Sequence, residues 1–407
     1  MQLLFRDPVN FHDQGPASPL SDREAYYQSA MDVVATIFHD IFTVFVIRTY
    51  MEKAPHPQHL TMYRSLHSLA LTLVDSLVAW KLEPTSEDPM QDPRRKHVEG
   101  FVDTLGWKMF AICAWSDGFS RACYTESNPL FWEALIEIIQ ENYACIEVFA
   151  RTRDLDWRGI IIQHTHSGIA ELTHALRPHP RLSDQHIHQI VRMLDGSLQR
   201  PSLNGCPQIN VPHCIIDPAE FPDGDPTLRR PGEAPCDLCR SMEFCDCRLS
   251  PYAVGGLLEL VEYPNKGVGV RSLGNFKQGD ILGEYVGEIH DPEYEGDGIY
   301  SLMQQVKGQP HTDIALISPK QYGNWTRFMN HSCNPNTAFR PRNIGWRRCM
   351  LVEAKRDIGL FEELTVDYGA GYWGDRKCCC GEPNCRYQGG DKDEDVDEEM
   401  EDSLDGQ

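Results

Sequence analysis

The spacing of the cysteines constrains this chain more than any other feature. Cys236-x2-Cys239-x5-Cys245-x-Cys247 places four thiols within twelve residues, and Cys378-x-Cys380-x4-Cys385 places three within eight. The N-terminus, Met1-Gln2-Leu3-Leu4-Phe5-Arg6-Asp7, lacks a basic start followed by an apolar stretch, so it reads as no secretory signal. The chain is therefore expected to stay inside the cell, where clustered cysteines are metal ligands rather than disulfides. Four thiolates at about 2.3 Å close a tetrahedral zinc shell and leave no open position for a catalytic water. The downstream group is one ligand short of that shell, and Cys379, between two ligands, is expected to be a spectator. The upstream group has Cys206 and Cys214 farther back. Four thiols suffice for one ion and six hold two with shared sulfurs, so the number of ions stays open.

At 407 residues with 41% apolar content, the chain has material for two compact cores. A formal charge of −22 argues against the nucleic-acid backbone as main partner and favours a basic protein or peptide. Residues 1–20 are expected to be flexible and 21–198 to be helical. Ser21-Asp22-Arg23-Glu24 has capping-box spacing, and Asn128-Pro129 sets a cap residue before a first-turn proline. Leu66, Leu69, Leu73, Leu77 and Trp80 fall on one helical face, as a bundle core requires. The proline-rich, charged stretch 83–96 reads as a loop, with further helices around 97–117, 129–151 and 184–198. The most apolar window, Met31 to Ile47, carries Asp32, His39 and Asp40, so a buried helix is expected rather than a membrane span. His164-x-His166 and His186-x-His188 do not share a helical face and read as surface or core histidines. Residues 199–250 form an irregular cysteine-rich connection holding the domain boundary. Residues 391–407, mostly Asp and Glu, read as a disordered acidic tail.

After Ser250 the texture changes to short apolar runs broken by glycine, as in Gly256-Leu-Leu-Glu-Leu-Val-Glu-Tyr263 and Ile281-Leu-Gly-Glu-Tyr-Val-Gly-Glu-Ile289, which predict short strands. Four elements then follow in order: Lys266-Gly267-Val268-Gly269-Val270-Arg271, Arg327-Phe328-Met329-Asn330-His331-Ser332-Cys333, Glu363-Leu-Thr-Val-Asp-Tyr368, and the downstream cysteines. This series resembles the SET-domain protein lysine methyltransferases, over roughly residues 255 to 390. Together with the helical reading of residues 21–198, in which no family is recognised, the resemblance implies an α+β multidomain chain: a pre-SET-like cysteine segment, a mostly β SET domain over 251–372 with knot-like C-terminal threading, and a post-SET zinc loop over 373–390.

By the same resemblance, Cys333 is the fourth ligand for Cys378, Cys380 and Cys385. S-adenosylmethionine is the implied cofactor and the zinc is structural. Lys266, Gly267, Val268 and Gly269 become cofactor contacts, since glycine lets a ligand approach the main chain. Arg327, Phe328, Asn330 and His331 form the family's signature segment on the cofactor side. Tyr372 and Trp373 are candidates to stack on adenine, with packing as the alternative. Tyr368 matches the catalytic tyrosine. Tyr285 and Tyr300 are candidates for the substrate-channel wall, with ordinary strand aromatics as the alternative.

Two departures from the family pattern stand out. Val366 replaces the usual Phe or Tyr two residues before the catalytic tyrosine; its smaller side chain, with no hydroxyl to hold water beside the amine, predicts di- or trimethylation. Ser318 stands where an aspartate is common. The upstream cysteines also differ from the nine-cysteine, three-zinc pattern of one branch of the family. The implied function is methylation of a lysine on a basic tail, a histone in nuclear chromatin; the helical half, by its size and lack of catalytic motifs, is expected to offer a surface for another protein. The rival expectations are a non-histone substrate and a SET-like binding module without turnover.

Overall fold

The computed structural model describes residues 21–54, 56–83, 93–176, 190–203, 205–249, 255–294, 301–373 and 376–387. The N-terminal segment 1–20, the acidic tail, Tyr300 and His186-x-His188 lie outside them.

Among the described residues, eight helices make the first half: α1 (Asp22–Lys53), α2 (Pro57–Leu82), α3 (Pro93–Cys113), α4 (Asp117–Thr125), α5 (Pro129–Glu141), α6 (Tyr143–Thr152), α7 (Trp157–Ile162) and α8 (Ala170–Ala175). Helix α1 opens on the capping box, with Ser21 and Glu24 exchanging side-chain and backbone bonds. Asn128 caps α5 ahead of Pro129. The expected 129–151 helix is divided at Asn142, whose amide Nδ2 bonds back to the Ile138 carbonyl. Helix α1 is long and apolar enough to cross a membrane. Its Ala30, Val34, Ile37, Phe38, Ile41 and Phe42 are instead buried in the helical core, beside Leu73 and Leu77 of α2 and the fully buried Trp115 and Trp132. Asp40 accepts from Ser116 Oγ and the Asp117 amide, so its charge is satisfied by protein.

The expected helix at 184–198 is corrected in its described part. Residues 191–199 form two short strands, β1 (Val191–Arg192) and β2 (Leu198–Gln199), joined by a turn in which Ser197 N donates to Asp195 Oδ1. Val191 is buried against the second-half sheet, and that tertiary pairing overrides the local helical pattern. The cysteine-rich stretch adds β3 (Ser202–Leu203), β4 (Cys206–Pro207), β5 (Ile209–Asn210) and β6 (Ile215–Ile216). The remaining strands are β7 (Leu258–Tyr263), β8 (Gly267–Ser272), β9 (Ile281–Glu284), β10 (Glu288–His290), β11 (Leu302–Val306), β12 (Gln309–Ser318), β13 (Tyr322–Gly323), β14 (Asn330–His331), β15 (Thr337–Ile344), β16 (Arg347–Ala354) and β17 (Glu363–Val366), with α9 (Ala370–Trp373) after them.

These strands form small sheets, the largest ordered β14-β17-β8-β7-β1-β2. Strand β17 enters between β14, to which it is parallel, and β8, to which it is antiparallel. This late insertion brings three of the four sequence elements side by side. Sheets β15-β16-β9 and β11-β12-β10-β6 follow, with the two-stranded pairs β13-β5 and β3-β4, and β6 is contributed by the cysteine-rich segment.

Candidate active site and zinc cages

Pairing of β14 with β17 sets Asn330 opposite Thr365 and His331 opposite Val366. Buried Asn336 fastens the turn between the signature segment and β15: its Oδ1 accepts from Thr365 N at 2.9 Å, and its Nδ2 donates to Glu363 O at 2.8 Å. Its local signal was the Asn-Pro-Asn that follows Cys333. Glu363 then links two of the cofactor candidates, accepting from Asn330 Nδ2 at 2.8 Å and from Lys266 Nζ at 2.9 Å. A Cβ on Gly269 would stand 2.6 Å from Asn330 Nδ2 and 2.8 Å from the Tyr263 ring, so that position requires glycine.

The Tyr368 hydroxyl donates to Met329 O at 2.6 Å, and the Tyr368 amide donates to His331 Nδ1 at 3.1 Å. A backbone N–H only donates, so Nδ1 is the bare nitrogen and Nε2 carries the proton, pointing at Cys333 Sγ 3.3 Å away. Burial lowers the His331 pKa, which favours this neutral form. The Asp367 carboxylate, 3.7 Å from Nδ1, meets an acceptor there and turns instead to Arg386 at 2.7 Å.

Helix α9 leans on this turn. Tyr372 is edge-on to Tyr368 at 4.7 Å, and Trp373 is edge-on to His331 at 4.6 Å and stacked on Tyr387 at 5.4 Å. Trp373 is buried, and its Nε1 has no hydrogen-bond partner among the described residues. Tyr387, absent from the expected set, belongs to this aromatic group. Arg327 and Phe328 are buried beneath the turn, and Arg327 Nη1 donates to Lys320 O. Tyr285 lies in a separate cluster, edge-on to Phe339 at 4.9 Å. Phe339 packs against both that cluster and the one that Tyr368 joins. Val366 is buried in the latter, and Ser318 pairs in register with Glu288.

Among the described residues, eight of the cysteines gather into two groups, Cys333 with Cys378, Cys380 and Cys385, and Cys236 with Cys239, Cys245 and Cys247. Within each group the four sulfurs lie within 4.8 Å of one another, which fits one tetrahedral zinc ion. Burial raises the thiol pKa of Cys236, but backbone N–H donors from Cys239, Gly345 and Leu238 outweigh it and bring the value down to about 6. Such donors favour the thiolate that a metal needs. Cys379 is exposed and outside the group. The candidate assignment of Cys214 is corrected: its sulfur belongs to neither group and lies 4.0 Å from Tyr285 O, where burial holds the thiol protonated. The Cys206 side chain lies outside the described residues.

A strand inserted late in the chain, a histidine–tyrosine turn at its edge and a four-cysteine cage fastened to that turn make up the candidate site. Residues 267–369 match the family profile described as SET domain. A "Histone-lysine N-methyltransferase, H3 lysine-36 specific" of Mycosarcoma maydis is 34% identical over 138 residues, which cover 31% of this chain and 14% of that protein. A "Histone-lysine N-methyltransferase, H3 lysine-9 specific" of Schizosaccharomyces pombe is 31% identical over 225 residues, covering 46% of this chain and 45% of that one. The chain thus spans less than half the length of either relative. Among solved structures, the methyltransferase domain of human histone-lysine N-methyltransferase SETMAR is similar, with 20% identity and a TM-score of 0.33 over 49% of this chain and 93% of that chain.

Proposed function

We propose that this chain is an S-adenosylmethionine-dependent protein lysine N-methyltransferase acting on a histone tail in the nucleus. The observation that carries the reading is the Tyr368 turn: hydroxyl held by Met329 O, amide held by His331, and the Glu363-anchored Asn330 next to that histidine. When bound, S-adenosylmethionine supplies a methyl group activated by its sulfonium. The protein's task is to present a neutral lysine amine in line with that methyl, the reacting atoms about 3–3.5 Å apart. A free lysine amine titrates near 10.4, and a dry channel lowers that value by disfavouring the cation. The Tyr368 oxygen, its proton committed to Met329 O, keeps lone pairs to accept from the amine and the polarised methyl hydrogens. Asn330, Lys266 and the Gly267–Gly269 backbone form the proposed cofactor wall, Trp373 and Tyr372 its aromatic end, and Tyr285 with Tyr300 the channel side.

The histone assignment rests on the names of the relatives and on the acidic charge of the chain. The smaller Val366 further supports di- or trimethylation; mass spectra under excess cofactor that show only monomethyl product refute it. The helical half is also proposed to carry a partner surface, testable by recovery of a stable complex from cell extract with the full chain.

The experiment is transfer of labelled methyl to mixed core histones by the wild type and Tyr368→Phe in parallel. Label on one histone, lost in the variant, supports the reading. Label appearing in histone-depleted extract instead moves the substrate elsewhere, and no transfer by a zinc-loaded, folded wild type leaves the binding-module alternative.

A further inference from the structure

The helical half does not meet the SET domain as a tethered neighbour. Leu273 and Leu360 of the SET domain are buried members of the helical core, and Leu257 and Phe361 pack against it. Phe361 adopts φ +65°, a conformation a bulky residue keeps only when its surroundings hold it, and its ring sits edge-on to Phe38 of α1 at 5.9 Å. Arg153, at the end of α6, is 3% exposed, lies 3.5 Å over the Phe149 ring and donates to the Gly256 carbonyl just ahead of β7. Gly256 has no room for a Cβ against Phe42 of α1. The junction leaves a cavity of about 20 Å3, the space of one water.

Across this junction runs a row of charges. Arg271 of β8 donates to Asn142 between α5 and α6, at 3.2 Å, and its guanidinium lies 4.6 Å over Phe361. It also pairs with Glu259 of β7, which takes Arg192 of β1 at 3.2 Å. In the sheet, Glu259 and Glu363 are the register partners of Arg271 on either side. Directly opposite residues share a face. The row Glu259–Arg271–Glu363 therefore reaches from the helical half to the carboxylate that holds Asn330 and Lys266. The hairpin β7–β8, anchored at one end by the helices, carries Lys266–Gly269 at its other end.

We infer that the helical half is a built-in positioning element for the cofactor wall, acting through Asn142 and Arg153 on the β7–β8 hairpin. Both are positioning residues, since neither reaches the proposed reacting atoms. The inference rests on the proposed function for its cofactor but not for its mechanics.

The test uses the full chain with Asn142→Ala, Arg153→Met and Arg153→Lys. S-adenosylmethionine binding is measured by calorimetry, kcat at saturating cofactor by methyl transfer, and amide exchange is followed at Val268–Val270. A coupling of ordinary size raises Kd by about 5- to 50-fold in Asn142→Ala and Arg153→Met. Exchange at the hairpin tip speeds up, kcat at saturation holds, and Arg153→Lys recovers most of the affinity. Unchanged Kd and exchange, in variants that keep wild-type melting and zinc content, overturn the inference. Should Arg153→Met fail to fold, Asn142→Ala decides alone. A wild type that binds no S-adenosylmethionine sinks the functional reading instead, and the exchange data then decide the positioning role by themselves.

Discussion

At the scale of single residues, the site depends on side chains whose partners are few and fixed. Glu363 serves both Lys266 and Asn330, so Glu363→Ala releases two cofactor candidates at once. Loss of one charge-assisted bond of about 1.5–3 kcal/mol predicts weaker S-adenosylmethionine binding by roughly tenfold or more, read by calorimetry. Gly345 is constrained differently. It sits at φ +63°, where a Cβ would meet the Cys247 carbonyl oxygen at 2.5 Å and that of Cys245 at 2.8 Å. Its amide also donates to Cys236 Sγ. Gly345→Ala is expected to cost about 1–3 kcal/mol and to loosen the upstream cage, seen as a lower melting temperature together with loss of one zinc per chain.

At the scale of elements, the two cages do different work. The upstream loop packs on the β15–β16 turn, where Arg229 donates to Gly345 O and to Met242 O and so ties loop to hairpin. The downstream loop is fastened to the proposed catalytic turn itself: Cys333 follows His331 by two residues, Ser332 donates to Glu382 at 2.9 Å, and Arg386 grips Asp367. Metal content by mass spectrometry should give two zinc ions for the wild type and one for Cys380→Ser. The second ion's loss should also weaken S-adenosylmethionine binding, because His331 and α9 lose their brace; an unaltered Kd would separate the cage from the site. Helix α1 shows the same principle in the other half, since its apolar length fits a membrane by hydropathy and its packing fits a core.

At the scale of the whole molecule, a shared core predicts shared unfolding. Leu273 and Leu360 are buried with α1 and α6, so heating is expected to give one calorimetric transition, with van't Hoff and calorimetric enthalpies in agreement. Two separated transitions would show independent units. The same packing predicts that a chain starting at residue 199 is aggregation-prone, because it loses strand β1 and exposes those leucines; light scattering against the full chain reads the outcome.

Much of this was legible along the chain because the signals are local. A cysteine pair two or three residues apart, a Ser-x-x-Glu cap and an Asn-Pro helix start carry their geometry in their spacing, and the ordered motifs carry the resemblance that the SET-domain match over residues 267–369 bears out. What spacing left open was decided by segments far apart in sequence. The count of upstream ligands needed the fold to turn Cys214 toward Tyr285, and the helix expected to end near 198 lost to β1 pairing with β7. The row from Asn142 through Arg271 to its register partner Glu363, which holds Asn330, spans the two halves, and no local pattern encodes it. By itself the sequence determined where the cysteine clusters, the helix caps and the glycine turn lie along the chain, because those depend on residue type and near-neighbour spacing. Only the tertiary structure decided which sulfurs share a cage and that the helical half packs with the β7–β8 hairpin in one core, because burial and cross-strand register arise from contacts between distant segments.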